Sequence, residues 1–137
     1  MTQAFADTFY YLALYNRQDA AHEAAKDFSA SFRGTLVTTW GVLLEIGDAL
    51  CREANRPSAL QLLDLIRDDP ATEVVPLDDE LLTSGIELFR ARLDKDWSLT
   101  DCISFEVMRD LGLSDAVTGD RHFKQAGFKL LLPEAGE

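Results

Sequence analysis

Five short apolar or β-prone stretches, at positions 3–7, 35–38, 72–75, 115–118 and 128–132, punctuate the chain, and segments with helical spacing fill most of the intervals. That alternation is the strongest constraint on the fold. Strands joined through helices do not pair as tight hairpins; they lie parallel, with the connecting helices packed on the sheet. The pattern predicts an α/β domain: a central parallel sheet flanked by helices on both faces, with ligands in the crevice at the carboxyl ends of the strands. No Pro/Gly/Ser-rich linker and no fixed-period repeat interrupts it, so residues 1–137 read as one domain.

The helical segments carry their own start and stop signals. Helical material rich in Tyr and Leu follows the first strand to Tyr15, and residues 19–32 are Ala-rich and helix-compatible. Thr38 or Thr39 suits the cap of a helix over about residues 40–54, and Pro57 suits the first turn of the next, with an apolar stripe of Leu60, Leu63 and either Leu62 or Ile66. Asp78, Asp79 and Glu80 place negative charge at the start of a helix containing Leu81, Leu82, Ile86 and Phe89, where the helix dipole favours it. Ser98-x-x-Asp101 has the form of a capping box opening a helix to about Leu111, with Ile103, Val107 and Leu111 on one face and Gly112 at its end.

Composition then narrows the function. The 13 Lys and Arg against 24 Asp and Glu, a formal charge of −11, argue against a binder of DNA or anionic lipid that works through a broad basic patch. The first six residues carry no Lys or Arg, and the longest uncharged run, residues 34–44, falls well short of the roughly 20 apolar residues a membrane span needs. A cytoplasmic, soluble protein without membrane contact is expected. Cys51 and Cys102 stand apart without C-x-x-C spacing and read as small buried hydrophobes, not as zinc ligands.

Four acids stand where acids are costly. Asp7 closes the first strand between Phe5 and Phe9, and Glu45 is enclosed by Val42, Leu43, Leu44 and Ile46. Asp101 precedes Cys102, Ile103 and Phe105, and Asp120 follows the strand that ends at Thr118. An ionised carboxylate in an apolar setting costs several kcal/mol unless it is paired, hydrogen-bonded or bound to a cation. No Lys or Arg lies three or four residues from Asp7, and Arg52 is the nearest to Glu45. Each acid alone has an ordinary reading, Asp101 as a cap and Asp120 as a turn former. Their settings at strand ends and helix starts converge on one edge of a parallel sheet, and a shared divalent cation satisfies all four together. Carboxylates without His or Cys suit hard ions, Mg²⁺ or Mn²⁺. Carboxylate-held metals commonly hydrolyse phosphodiesters, activating water and stabilising the leaving oxygen.

The residues that carry a family likeness are Ala6-Asp7-Thr8 with Phe9, Glu45 within residues 40–50, Ser98-Leu-Thr-Asp101-Cys-Ile-Ser-Phe105, and Ala116-Val-Thr-Gly-Asp120-Arg-His-Phe through Phe128. From about Ala4 to Pro133 the chain resembles a PIN domain of the VapC-type ribonuclease toxins of toxin-antitoxin pairs. The resemblance implies a metal-dependent endoribonuclease cutting single-stranded RNA, in which Asp7, Glu45, Asp101 and Asp120 bind Mg²⁺ or Mn²⁺ and Thr8 and Ser98 support them. It also implies a homodimer and a cognate antitoxin that inserts a tail into the acidic groove; the acidity here suits a basic inhibitory segment. Phe9 departs from the pattern, because many members carry Asn or Ser there.

Arg121 and Lys124, with Arg90, Arg92 and Lys95 behind them, are the candidates for receiving phosphates, each with a solvated-surface reading of equal weight. His122 adjoins Asp120 and could touch a phosphate, but reads first as a packing or exposed histidine; Trp97 could stack a base at the groove mouth, but reads first as a ring packed under its loop. Asp96 is an extra acid before the third motif, more in keeping with a solvated loop. A receiver domain is disfavoured because Asp7 lacks an adjacent acid, and a haloacid-dehalogenase-like phosphatase because Asp7-Thr8-Phe9 lacks the second acid. A PIN-like RNA- or protein-binding module without nuclease activity is the remaining alternative. Its mark would be loss of one or more of the four acids, and all four are present.

Overall fold

The computed structural model describes residues 2–136. Five parallel strands, β1 (Gln3–Ala6), β2 (Thr35–Thr39), β3 (Thr72–Val75), β4 (Asp115–Val117) and β5 (Lys129–Leu130), form one sheet in the order β3-β2-β1-β4-β5. Seven helices among the described residues surround it: α1 (Thr8–Tyr15), α2 (His22–Ser31), α3 (Trp40–Ala49), α4 (Arg56–Asp68), α5 (Asp79–Ala91), α6 (Leu99–Asp110) and α7 (Arg121–Gln125). β1 is the central strand, and its Ala4, Phe5 and Ala6 are fully buried. The chain builds outward from β1 to β2 and β3, then returns to place β4 on its other flank. That reversal of strand order lies between β1 and β4, where an open α/β sheet splits its connections and leaves a crevice at the strands' carboxyl ends.

Registry sets what meets there. Ala6 pairs with Val117, so Asp7 and Thr118 are the first residues past two adjacent strand ends. On the other side Phe5 pairs with Val37, and the Thr38 hydroxyl donates to the Ala6 carbonyl at 2.8 Å. An aromatic core ties the remaining loops to the sheet. Phe123 of α7 stacks on Phe5 at 6.1 Å and meets Phe105 of α6 edge-on at 4.9 Å, while Trp97 meets Phe105 edge-on at 5.0 Å. Each buried Phe contributes about 2–3 kcal/mol of burial. This cluster holds a five-residue helix that has too few internal hydrogen bonds to stand alone.

Several boundaries differ from those the sequence predicts. The second helix starts at His22, not Asp19, because the Asp19 carboxylate accepts from Ala21 N at 2.8 Å and closes a turn first. α3 stops at Ala49, and the Arg56 guanidinium donates to the Cys51 carbonyl across the turn that follows. Along α4 the buried stripe is Ala59 and Ile66 with Leu62 and Leu63 beside them, while Leu60 is 58% exposed. Leu111 likewise faces outward, past the end of α6, although Ile103 and Val107 are buried. Cys51 is exposed, contrary to expectation, and only Cys102 is buried. β5 is limited to two residues, yet the chain beyond it stays tied to the segment after β4: Leu131 N donates to the Ala116 carbonyl at 2.9 Å and Ala135 N to the Gly119 carbonyl at 2.8 Å. No helix among the described residues is long and apolar enough to cross a membrane.

Candidate metal centre

The crevice at the reversal point is an open cleft of about 420 Å³ lined by Asp7, Glu45, Asp96, Asp101 and Asp120 with Thr8, Ser98 and His122; Phe9, Leu12 and Ala49 form its apolar wall. The four acids singled out by the sequence thus reach one cleft from four different elements. Asp7 is the N-cap of α1 and lies just past β1; Glu45 projects from the middle of α3; Asp101 is in the first turn of α6; Asp120 is the N-cap of α7. Asp96 lines the cleft from the loop before α6 and is exposed.

Each carboxylate is aimed by a neighbour. The Thr118 hydroxyl donates to Asp7 Oδ2 at 2.9 Å and accepts from Asp120 N at 3.0 Å, linking two of the acids through one side chain. The Thr8 hydroxyl donates to Glu45 Oε1. Ser98 and Asp101 form a reciprocal capping box: Asp101 N donates to Ser98 Oγ at 3.0 Å, and Ser98 N donates to Asp101 Oδ2 at 3.1 Å. His122 N donates to Asp120 Oδ1 at 2.9 Å. Around the rim, Trp97 is packed under its loop with its indole N–H donating to Gln125 Oε1 at 3.0 Å. Arg121 and Lys124 are both exposed on α7, Lys124 Nζ lying 3.5 Å from Glu134.

Electrostatics show what the cleft lacks. Asp7 is only 5% exposed, and its pKa is pushed up to about 7, first by burial and then by repulsion from Asp101, with Glu45 and Asp120 adding to it. The Thr118 hydrogen bond opposes the rise. Glu45 is raised by burial against the opposing bond from Thr8, and Asp101 by burial against its Ser98 and His122 partners. Among the described residues no Lys or Arg lines the cleft. Carboxylates crowded this way either hold protons or hold a cation among them, and an oxygen-rich donor set fits a divalent ion of the Mg²⁺ or Mn²⁺ type.

Two features escape sequence reasoning. Thr118 joins Asp7 to Asp120, a pairing visible only once β1 and β4 are known to be neighbours. His122 is neither a surface nor a packing histidine: its Nδ1 lies 3.0 Å from Asp101 Oδ2 and 3.5 Å from Asp120 Oδ1, and its ligating atom and theirs all fall within 4.8 Å of one another. The expectation of an acid cluster without histidine is therefore corrected. The adjacency of His122 to Asp120 was the available signal, but it does not reveal which way the ring points.

Comparison with known proteins agrees with this geometry. The PIN domain family model matches residues 4–129. The 23S rRNA-specific endonuclease VapC20 of Mycobacterium tuberculosis is 32% identical over 130 residues, covering 95% of this chain and 98% of the relative. The crystal structure of that VapC20, described as a sarcin-ricin loop cleaving toxin, superposes with a TM-score of 0.87 at 30% identity, covering 96% of this chain and all of the other. FitAcB from Neisseria gonorrhoeae, at 13% identity and a TM-score of 0.69, covers 94% of this chain and 96% of its own and shares the fold.

Proposed function

The chain belongs to the PIN domain family, and from that premise we propose that it is a divalent-metal-dependent endoribonuclease, the toxin of a toxin-antitoxin pair. The observation that carries the reading is the convergence of Asp7, Glu45, Asp101 and Asp120 in one cleft that holds no Lys or Arg. Without a cation such a cleft repels a phosphodiester. Held there by the four acids, Mg²⁺ or Mn²⁺ would supply the positive charge that the phosphate oxygens need and would activate water for attack.

The protein's own residues hold and frame the reaction. The four acids hold the ion, Thr118 and Thr8 lock the orientation of Asp7 and Glu45, and the Ser98 capping box does the same for Asp101. Arg121 and Lys124, exposed on α7 beyond Asp120, receive the flanking phosphates. Phe9, Leu12 and Ala49 give the cleft an apolar part that a nucleobase can lie against. The substrate is single-stranded RNA, and because the relative VapC20 acts on 23S rRNA, the sarcin-ricin loop is the first target to test.

Two partners complete the proposal. A homodimer forms through α5, whose Ile86 and Phe89, followed by Leu93 at 89% exposure, make an apolar stripe open to solvent. Antiparallel pairing of two such helices sets the acidic Asp78, Asp79 and Glu80 of one against the basic Arg90, Arg92 and Lys95 of the other. The cognate antitoxin reaches the acidic cleft with a basic segment, as the charge of −11 favours.

The test is cleavage of RNA carrying the sarcin-ricin loop by the purified protein. Activity is expected with Mg²⁺ or Mn²⁺, none with EDTA, and none for Asp7→Asn or Asp101→Asn while circular dichroism stays native. Cleavage that survives both substitutions removes the site assignment. Metal and RNA binding without cleavage by the wild type leaves the non-catalytic module as the correct reading.

A further inference from the structure

We propose that His122 is itself a ligand of the divalent ion, through Nδ1, and that it tilts this site toward Mn²⁺ over Mg²⁺. The inference rests on the metal-dependent reading above and goes beyond its four-carboxylate set. Its basis is a match of distances. In an octahedral site with bonds of about 2.1 Å, neighbouring ligand atoms are separated by about 3 Å. Nδ1 of His122 lies 3.0 Å from Asp101 Oδ2 and 3.5 Å from Asp120 Oδ1. One nitrogen facing two carboxylates from different helices at that spacing forms one side of a coordination shell. In the ion-free protein the shorter contact is a hydrogen bond between the ring and Asp101; the ion would replace the ring proton between nitrogen and carboxylate.

The local chain supports that role. His122 sits in the first turn of α7, its backbone N–H ties down Asp120 Oδ1 at 2.9 Å, and Phe123 beside it is fully buried against Phe5 and Phe105. The ring is thus carried by an anchored helix start and is only 23% exposed at the cleft wall. With Nδ1 on the ion, Nε2 keeps the ring proton. An imidazole nitrogen among oxygens strengthens binding of first-row transition ions much more than that of Mg²⁺, which favours oxygen and water.

The experiment reads the metal, not the activity. Full-length protein is loaded with one equivalent of Mn²⁺ and its electron spin echo envelope is recorded for hyperfine coupling to directly bound nitrogen. Protein grown with ¹⁵N-histidine should show the coupling change to that of ¹⁵N. The other histidine, His22, lies on α2 with its Nδ1 on the Ala13 carbonyl at 2.8 Å and does not line the cleft, so a nitrogen coupling from an ion in the cleft reports on His122. In parallel, calorimetric titration of His122→Gln should show Mn²⁺ affinity falling about tenfold or more, and Mg²⁺ affinity changing by less than about threefold. The labelling arm needs no variant and stands if His122→Gln folds poorly. Bound Mn²⁺ without nitrogen coupling, or equal losses for both metals, overturns the ligand role and leaves the metal-dependent nuclease reading intact. Failure of the wild type to bind Mn²⁺ at all overturns both.

Discussion

Replacing Asp7 by Asn should make the metal-free protein more stable while removing its function. Burial and the neighbouring acids raise the Asp7 pKa from its ordinary 3.8 to about 7. Roughly three pKa units at 1.4 kcal/mol each put the cost of the ionised form near 4 kcal/mol. A carboxylate whose folded pKa is raised gives stability that is complete below the unfolded pKa, near 4, and is lost as pH rises through about 7. Asn keeps an oxygen to accept the Thr118 hydroxyl and carries no charge. In EDTA, Asp7→Asn should therefore exceed the wild type by up to about 4 kcal/mol at pH 8 and by roughly 1.5 kcal/mol at pH 5. Urea unfolding at the two pH values measures both differences, and at pH 8 the expected rise in Tm is on the order of 10 °C. Saturating Mn²⁺ should reverse the order, because only the wild type gains binding energy on folding. An Asn variant less stable than wild type at pH 8 in EDTA, or an advantage that does not change with pH, refutes the reasoning.

Three further outcomes follow from the same geometry. Thr118→Val keeps the shape but removes the donor to Asp7 and the acceptor for Asp120 N; a loss of about 1–3 kcal/mol in denaturant unfolding and weaker Mn²⁺ binding by calorimetry are expected. Phe123→Ala empties the aromatic centre that holds α7, costing about 3–5 kcal/mol by the same unfolding measurement and disordering Asp120 and His122 in NMR spectra. Gly119→Ala would place a Cβ 2.4 Å from the Pro133 carbonyl oxygen and 2.7 Å from Phe9 Cζ, so the loop carrying Asp120 must move. Displacement of one ligand by about 1 Å should lower the RNA cleavage rate on the order of a hundredfold.

The strand-helix alternation and the four acids were legible because each leaves a local mark: a short β-prone run, an acid closing a strand, a Ser-x-x-Asp box. All four of those acids line the cleft, Asp7, Glu45 and Asp101 from elements that the sequence predicts and Asp120 from just past the predicted fourth strand. What stayed hidden depends on contacts between distant segments. α7 has five residues, too few for a helical period to show, and its direction is set by Phe123 reaching Phe5 and Phe105. Without that docking the ring of His122 has no defined heading. The α4 stripe slipped for a similar reason: Leu60 is more apolar than Ala59, but tertiary packing puts Ala59 and Ile66 on the buried face and Leu60 on the exposed one.

The bond between Thr118 and Asp7 joins residues 111 positions apart. As the chain emerges from a ribosome, everything through α6 can be present with three of the four acids and still lack β4, the strand that flanks β1 and carries Thr118 to Asp7. The cleft cannot close until Asp120 has been synthesised. For a ribonuclease, that order of assembly leaves the acid set incomplete until the last strands have been made.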